Sequence, residues 1–285
     1  MKSPILFLLS CLLCFTIISC EKDYSEENGG DNPSIIGINC RIAKIDYRDT
    51  SGIIPIGSIA ANINSADNAV TIIEFDSISN FIVSYANIVT TTDTIHVNAD
   101  EYFIQDATSK QILKFHGLVD PGNPVSPFYN QVFTYNTAGY LVKKTKALST
   151  ASTLPYEQVD YTYSNGNLVS MIYKNLFSGQ KISDASLSFQ PTVAPKNYFY
   201  IFPDEEDRAE YNQFFNFGKR STNGVKDLKV RYYDGTGVLI DSAVSQFSSY
   251  QQSVDLYVVS VLMSGDAQPC IPAQPGRLRL SYKCR

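Results

Sequence analysis

The chain has 285 residues and a formal net charge of −5, from 23 Lys and Arg against 28 Asp and Glu. It has no basic stripe, and its aromatic residues are not interleaved with Arg and Lys, which excludes the footprint of a nucleic-acid binder. Tyr (19) and Phe (16) are abundant and Trp is absent; with frequent Ile, Val and Thr this is strand composition, and the length permits one large all-β domain or two small ones.

Residues 5–18, ILFLLSCLLCFTII, carry no charge and follow Lys2. A spanning helix needs about 20 apolar residues, so this run is short for one. A charged start, a short apolar centre and a small residue at the end describe a secretory signal peptide. A buried N-terminal helix is the alternative, but nothing amphipathic is visible. No other stretch is long and apolar enough to span a membrane as a helix.

Ile17-Ile18-Ser19-Cys20 resembles the bacterial lipobox, with Ile18 bulkier than the usual residue there. The resemblance implies that residues 1–19 are removed and that Cys20 takes a diacylglycerol group as the new N-terminus. One acyl chain holds only marginally, at about 0.8 kcal/mol per buried methylene, whereas two or three anchor stably. Glu21, Lys22 and Asp23 resemble the surface-export signal of Bacteroidetes lipoproteins; an ordinary acidic tether is the competing reading. Residues 20–36 are thus expected to be a lipidated cysteine and a flexible acidic tether, with a typical span of about 20–25 Å. The expected location is the outer membrane, lipid-anchored, at the cell surface.

Residues 37–285 are expected to form one β-hairpin repeat domain. Its unit is a strand ending in an aromatic residue, a short polar turn with Gly or Asn, and a second strand. Clear copies are 133–144, 161–173 and 230–241, and looser ones are 44–56, 72–85 and 101–115. The turns centre near residues 52, 80, 108, 138, 166 and 236, and periodic turns between short strand patterns signal an all-β array. Val159, Tyr161 and Tyr163 fall on one face, with Asp160, Thr162 and Ser164 on the other. Leu228, Val230 and Tyr232 oppose Lys229, Arg231 and Tyr233. Such alternation predicts an antiparallel sheet with one wet face. Ile72, Ile73, Phe75, Phe81, Ile82 and Val83 put apolar residues on both faces, so that part is expected to be covered on both sides.

The gap before the last hairpin predicts one short helix. Pro203-Asp204 start it, with Asp204 as N-cap and Glu205, Glu206 and Asp207 favoured by the helix dipole. Tyr211, Phe214 and Phe215 share a face, and Gly218 sits where a C′ glycine belongs. A calcium site at the acidic run is disfavoured, because successive acids on a first turn do not converge on one ion.

Once the signal and Cys20 are set aside, Cys40, Cys270 and Cys284 remain. Three cysteines allow one disulfide in an exported protein. Cys270–Cys284 would close a local loop, and Cys40–Cys284 would clasp the two ends of the domain; the spacing leaves both open. Metal-ligand spacing is absent, and no metal or cofactor is expected.

The hairpins resemble those of Bacteroidetes lipoproteins built from Tyr-Asp-type repeats, over roughly residues 40–285. The likeness rests on the aromatic-turn-Gly-aliphatic units and on the segment Gly218-Lys219-Arg220-Ser221-Thr222-Asn223 before a final hairpin. It implies a curved, meandering antiparallel sheet, half-barrel or barrel-like, with a helix packed on it, and it implies no activity. Three Asp-Ser or Asp-Thr triplets, beginning at Asp76, Asp93 and Asp241, resemble the O-glycosylation acceptor of exported Bacteroidetes proteins.

His96 and His116, the two histidines, lie on polar phases of their strands and read as solvent-side residues. No Gly-x-Ser-x-Gly elbow is present, and Gly235-Thr236-Gly237 precedes a strand pattern rather than a helix, so it is a turn. The expected function is therefore a non-catalytic binding or interaction module for a glycan, a protein or an envelope component. Tyr161 and Tyr163 are candidate binding aromatics, since Tyr offers large contact area at low entropy cost, although both also suit a core. The alternatives are a carrier holding an apolar ligand in a half-barrel, and a glycan-degrading hydrolase with two carboxylates about 5–10 Å apart.

Overall fold

The computed structural model describes residues 40–64, 68–78, 80–120, 125–149, 154–196, 200–201, 213–267 and 275–284. The signal and tether, with Cys20, Glu21, Lys22 and Asp23, lie outside the described residues, as does Cys270.

Seventeen strands among the described residues form one antiparallel sheet. They are β1 (Cys40–Arg48), β2 (Pro55–Ile63), β3 (Ala69–Asp76), β4 (Phe81–Asn87), β5 (Val89–Thr90), β6 (Thr94–His96), β7 (Tyr102–Gln105), β8 (Ile112–Leu118), β9 (Phe128–Tyr135), β10 (Leu141–Leu148), β11 (Glu157–Ser164), β12 (Asn167–Asn175), β13 (Lys181–Gln190), β14 (Gly224–Tyr233), β15 (Leu239–Gln252), β16 (Val258–Gly265) and β17 (Gly276–Cys284). Consecutive strands pair, and β17 returns to pair with β1. The ladder breaks once. β4 and β5 follow each other along the chain, separated by Ile88, so β4 bonds to β3 while β5 bonds to β6. The expected curved, meandering sheet is thus present, curled nearly shut, with an opening beside β4.

Local chemistry sets the turns. The turns near 52, 80, 108, 138, 166 and 236 each join two paired strands, and Gly52, Asn80, Lys110, Gly139, Asn165, Gly166 and Gly237 supply the positive φ they need. Asn165-Gly166, at φ 50° and 77°, matches the two-residue type I′ turn whose twist suits a hairpin. Elsewhere an Asp or Asn side chain closes the turn, as an Asx turn does. Asp49 Oδ1 accepts from Ile53 N and Ile54 N (both 3.0 Å), and Asp234 Oδ1 accepts from Thr236 N (2.8 Å) and Val238 N (2.9 Å). Hydrogen bonds hold three of these carboxyls below the usual range, chiefly from the Ser51 hydroxyl at Asp49, the Ser109 N–H and hydroxyl at Asp106, and the Thr236 hydroxyl at Asp234.

The expected helix is not found among the described residues. Its start, from Pro203 through Tyr211, lies outside them. Its far end is turn and bridge: Gln111 and Asn216 form a parallel bridge, and Phe214, Phe215 and Phe217 are buried in the core. Phe217 meets Phe103, Phe133 and Tyr200, and Phe215 meets Phe103. The aromatic spacing that reads as a helix face is used instead to fill the inside of the curled sheet. Gly218 does take positive φ, 86°, and a Cβ there would sit 2.5 Å from the Gly139 carbonyl oxygen. The Gln213 amide holds both backbone groups of Tyr200, at 2.8 and 2.9 Å. The Tyr200 hydroxyl donates to Gly218 O (2.7 Å) and accepts from Phe217 N (3.1 Å).

Because strands alternate, the sheet has two ends. The proximal end carries the start of β1 and the finish of β17, and the described residues 213–223 lie against its turns. There, Lys219 N donates to Gly139 O and Thr222 N to Gly166 O. The distal end carries the turns β1–β2, β3–β4, β6–β7, β8–β9, β10–β11, β12–β13, β14–β15 and β16–β17.

Candidate interaction surface

Alternation decides which side chains can meet a partner. Tyr161 is 4% exposed, and Tyr163 packs against the same core. Burial pushes the Tyr163 phenol up. This corrects their reading as binding aromatics: Val159, Tyr161 and Tyr163 form the inward face, because that face of β11 must cover the apolar interior. Phe103, Phe115, Phe133, Phe214, Phe217 and Phe247 share that interior.

His96 and His116 lie on the outer phase as expected, but as part of a stacked row. His96 meets Tyr102 at 5.5 Å, Tyr102 meets His116 at 5.0 Å, and His116 meets Phe128 at 4.9 Å between ring centroids. His116 Nδ1 lies 2.9 Å from Asn130 Oδ1. Tyr102, His116 and Phe128 stack and His96 tilts against Tyr102, so the row ties β6–β9 together.

Charges are also on the outer side. Asp184 takes the Lys181 ammonium (2.6 Å), Arg231 Nε (2.6 Å) and the Tyr233 hydroxyl (2.8 Å). Burial alone would raise its carboxyl; the three donors overcome this and hold it below the usual range. Lys174 reaches Asp160 at 3.3 Å on the same side. Lys229, Arg231 and Arg279 alternate with the buried Leu228, Val230, Leu278 and Leu280. A wall spanning a membrane needs an apolar outer band, since a Lys or Arg at mid-bilayer costs about 2–4 kcal/mol. This wall is charged outside and aromatic inside, the reverse of a water-filled channel.

Exposed apolar residues are scattered, Val254 and Leu256 at the proximal β15–β16 turn among them, but two groups stand out. One is the distal rim, where Ile53 and Ile54, Ile78, Phe177, and Val238, Leu239 and Ile240 project from four hairpins. The turn hydrogen bonds land on these same residues: Ile78 N donates to Asp76 Oδ1 (2.8 Å) and Phe177 N to Asn175 Oδ1 (2.9 Å), alongside Ile53, Ile54 and Val238. The tips are therefore held, not merely displayed. The other place is the outer face of β3–β4. Tyr85 faces Ile73 and Ile82 faces Phe75, while Ile72 faces Ala86 on the buried side. Val83 is an extra residue between Ile82 and Ser84, a bulge. Ile82, Val83 and Tyr85 are 55%, 53% and 54% exposed. The expectation that both faces here are covered holds for the inner face only; no described element lies over the outer one. Sequence reading marked this segment as apolar on both faces but named none of its residues as a site. The rim was missed, because single apolar residues in polar turns carry no periodic signal.

Cys40 is disulfide-bonded. Its backbone partner across β1 and β17 is Cys284. Groups of His, Cys, Asp and Glu able to hold a metal ion are absent among the described residues.

No protein-family model matches the chain, and no curated protein does. Solved structures do. A porin-like protein from Bacteroides uniformis aligns with a TM-score of 0.57 over 86% of this chain and 98% of that one, at 13% identity. A porin-like protein from Bacteroides vulgatus aligns with a TM-score of 0.48 over 86% of this chain and 99% of that one, at 10% identity. At such identity the likeness to the Bacteroides uniformis protein is one of fold.

Proposed function

We propose that this chain is a lipid-anchored protein of the bacterial envelope whose β-domain binds a partner at its distal rim and does not catalyse. The observation that carries this is the rim itself: Ile53, Ile54, Ile78, Phe177 and Val238–Ile240 stand exposed on turns stiffened by Asx hydrogen bonds. Apolar anchors of this kind suit a protein surface better than a glycan, and their turn backbones are ordered before contact. The tether expected from Cys20 joins the domain at Cys40, on the proximal end, so the rim faces away from the anchoring membrane. The fold shared with a porin-like Bacteroides protein supports an envelope setting. The charged outer wall and the aromatic interior speak against a pore. A photo-crosslinking residue placed at Phe177 in living cells should give a discrete adduct, and one at the proximal Thr91 should not. Product release from a glycan, ester or peptide panel that disappears on changing a single Asp or Glu would replace this reading with the hydrolase.

A further inference from the structure

An edge strand offers unpaired backbone groups to any passing strand, and folded proteins usually protect one with charge, proline, brevity or cover. β4 has none of the first three. Between Asp76 and Asp93 the chain holds no charged residue and no proline, and β4 is seven residues long. The bulge at Val83 is a common edge device, but here it brings a second exposed apolar side chain beside Ile82 instead of a charge. Phe75 and Ile73 on β3 extend the same face inward from the edge. The exposed Ile78 continues it at the β3–β4 turn, where Ser77 N donates to Ile56 O.

We propose that β4 is the seam of a symmetric dimer, with β4 of one copy lying antiparallel against β4 of a second. Three features select a second copy as occupant. A two-fold axis beside β4 lays an antiparallel strand on an antiparallel strand and brings the same patch to itself, which closes the assembly at two copies. The chain is net negative, and like charges directly opposed would destabilise a pair; this uncharged stretch is where two copies can approach without that cost. Ile78, Ile82, Val83 and Tyr85 are each more than half exposed along this edge, the kind of apolar centre an interface buries. In the dimer Val83 and Tyr85 of the two copies form β-branched and aromatic pairs across the seam, and the free backbone edge of β4 gains partners.

The test uses the chain from residue 21 onward. Sedimentation equilibrium should give the mass of two chains, and Val83→Glu with Tyr85→Glu should give the mass of one, with unchanged circular dichroism. Val83→Cys should yield a covalent dimer on mild oxidation, whereas Phe177→Cys, away from the seam, should not; this arm stands even if the double Glu variant misfolds. A single-chain mass for the unaltered protein with no Val83→Cys crosslink overturns the proposal. So does an oligomer that ignores the Glu pair, or one that grows beyond two copies.

Discussion

Cys40, the first residue of β1, faces Cys284, the last residue of β17, across the ladder that joins the two ends of the domain. Cys40 is in a disulfide, and directly opposed residues of an antiparallel pair lie at the Cα separation a disulfide spans. We therefore predict the Cys40–Cys284 pairing over Cys270–Cys284. Peptide mapping without reduction should recover the two ends of the domain as one linked species, with Cys270 alkylated as a free thiol. Cys40→Ser should lower stability by about 2–5 kcal/mol.

Asp184 should behave as a buried acceptor for three donors. Asp184→Asn should cost about 1–2 kcal/mol, since hydrogen bonds to a charged group are lost while Lys181 and Arg231 remain partly solvated. The folded carboxyl lies below its unfolded value, so its contribution is present above the unfolded value, near pH 4, and is lost as pH falls through the folded one. Thermal melts from pH 7 to pH 2 should show the unaltered protein losing more stability on acidification than Asp184→Asn does.

Phe217 should be a main support of the interior, because it meets Phe103, Phe133 and Tyr200 at once. Phe217→Ala should cost about 3–5 kcal/mol, read as a fall in Tm. Ring removal at Tyr102, in the outer row with His96 and His116, should cost far less because that row is half-exposed.

Cys20→Ser should abolish labelling by a fatty-acid probe in cells. Equal labelling of the variant would remove the lipoprotein reading. Protease added to whole cells should degrade the domain if Glu21, Lys22 and Asp23 direct it to the surface; protection until lysis would place it in the periplasm.

Strands and turns were legible in the sequence because they are local. Alternation over residues 159–164 and 228–233 separates two faces, and Gly, Asn or Asp at 52, 139, 166 and 234 carries the turn geometry. Local pattern does not say which face becomes the inside. Tyr161 suited a core as well as a binding face, and only curling of the sheet turned its side inward. Tyr211, Phe214 and Phe215 have helical spacing after an acidic start; at the described end of that segment Phe214 and Phe215 lie in a turn and fill the aromatic interior, a use that local pattern does not announce. The residues from Ile72 to Val83 declared themselves apolar on both faces. Only the tertiary structure showed one face buried and the other bare along β4, whose second edge has no strand partner among the described residues, because cover depends on which distant segments arrive there.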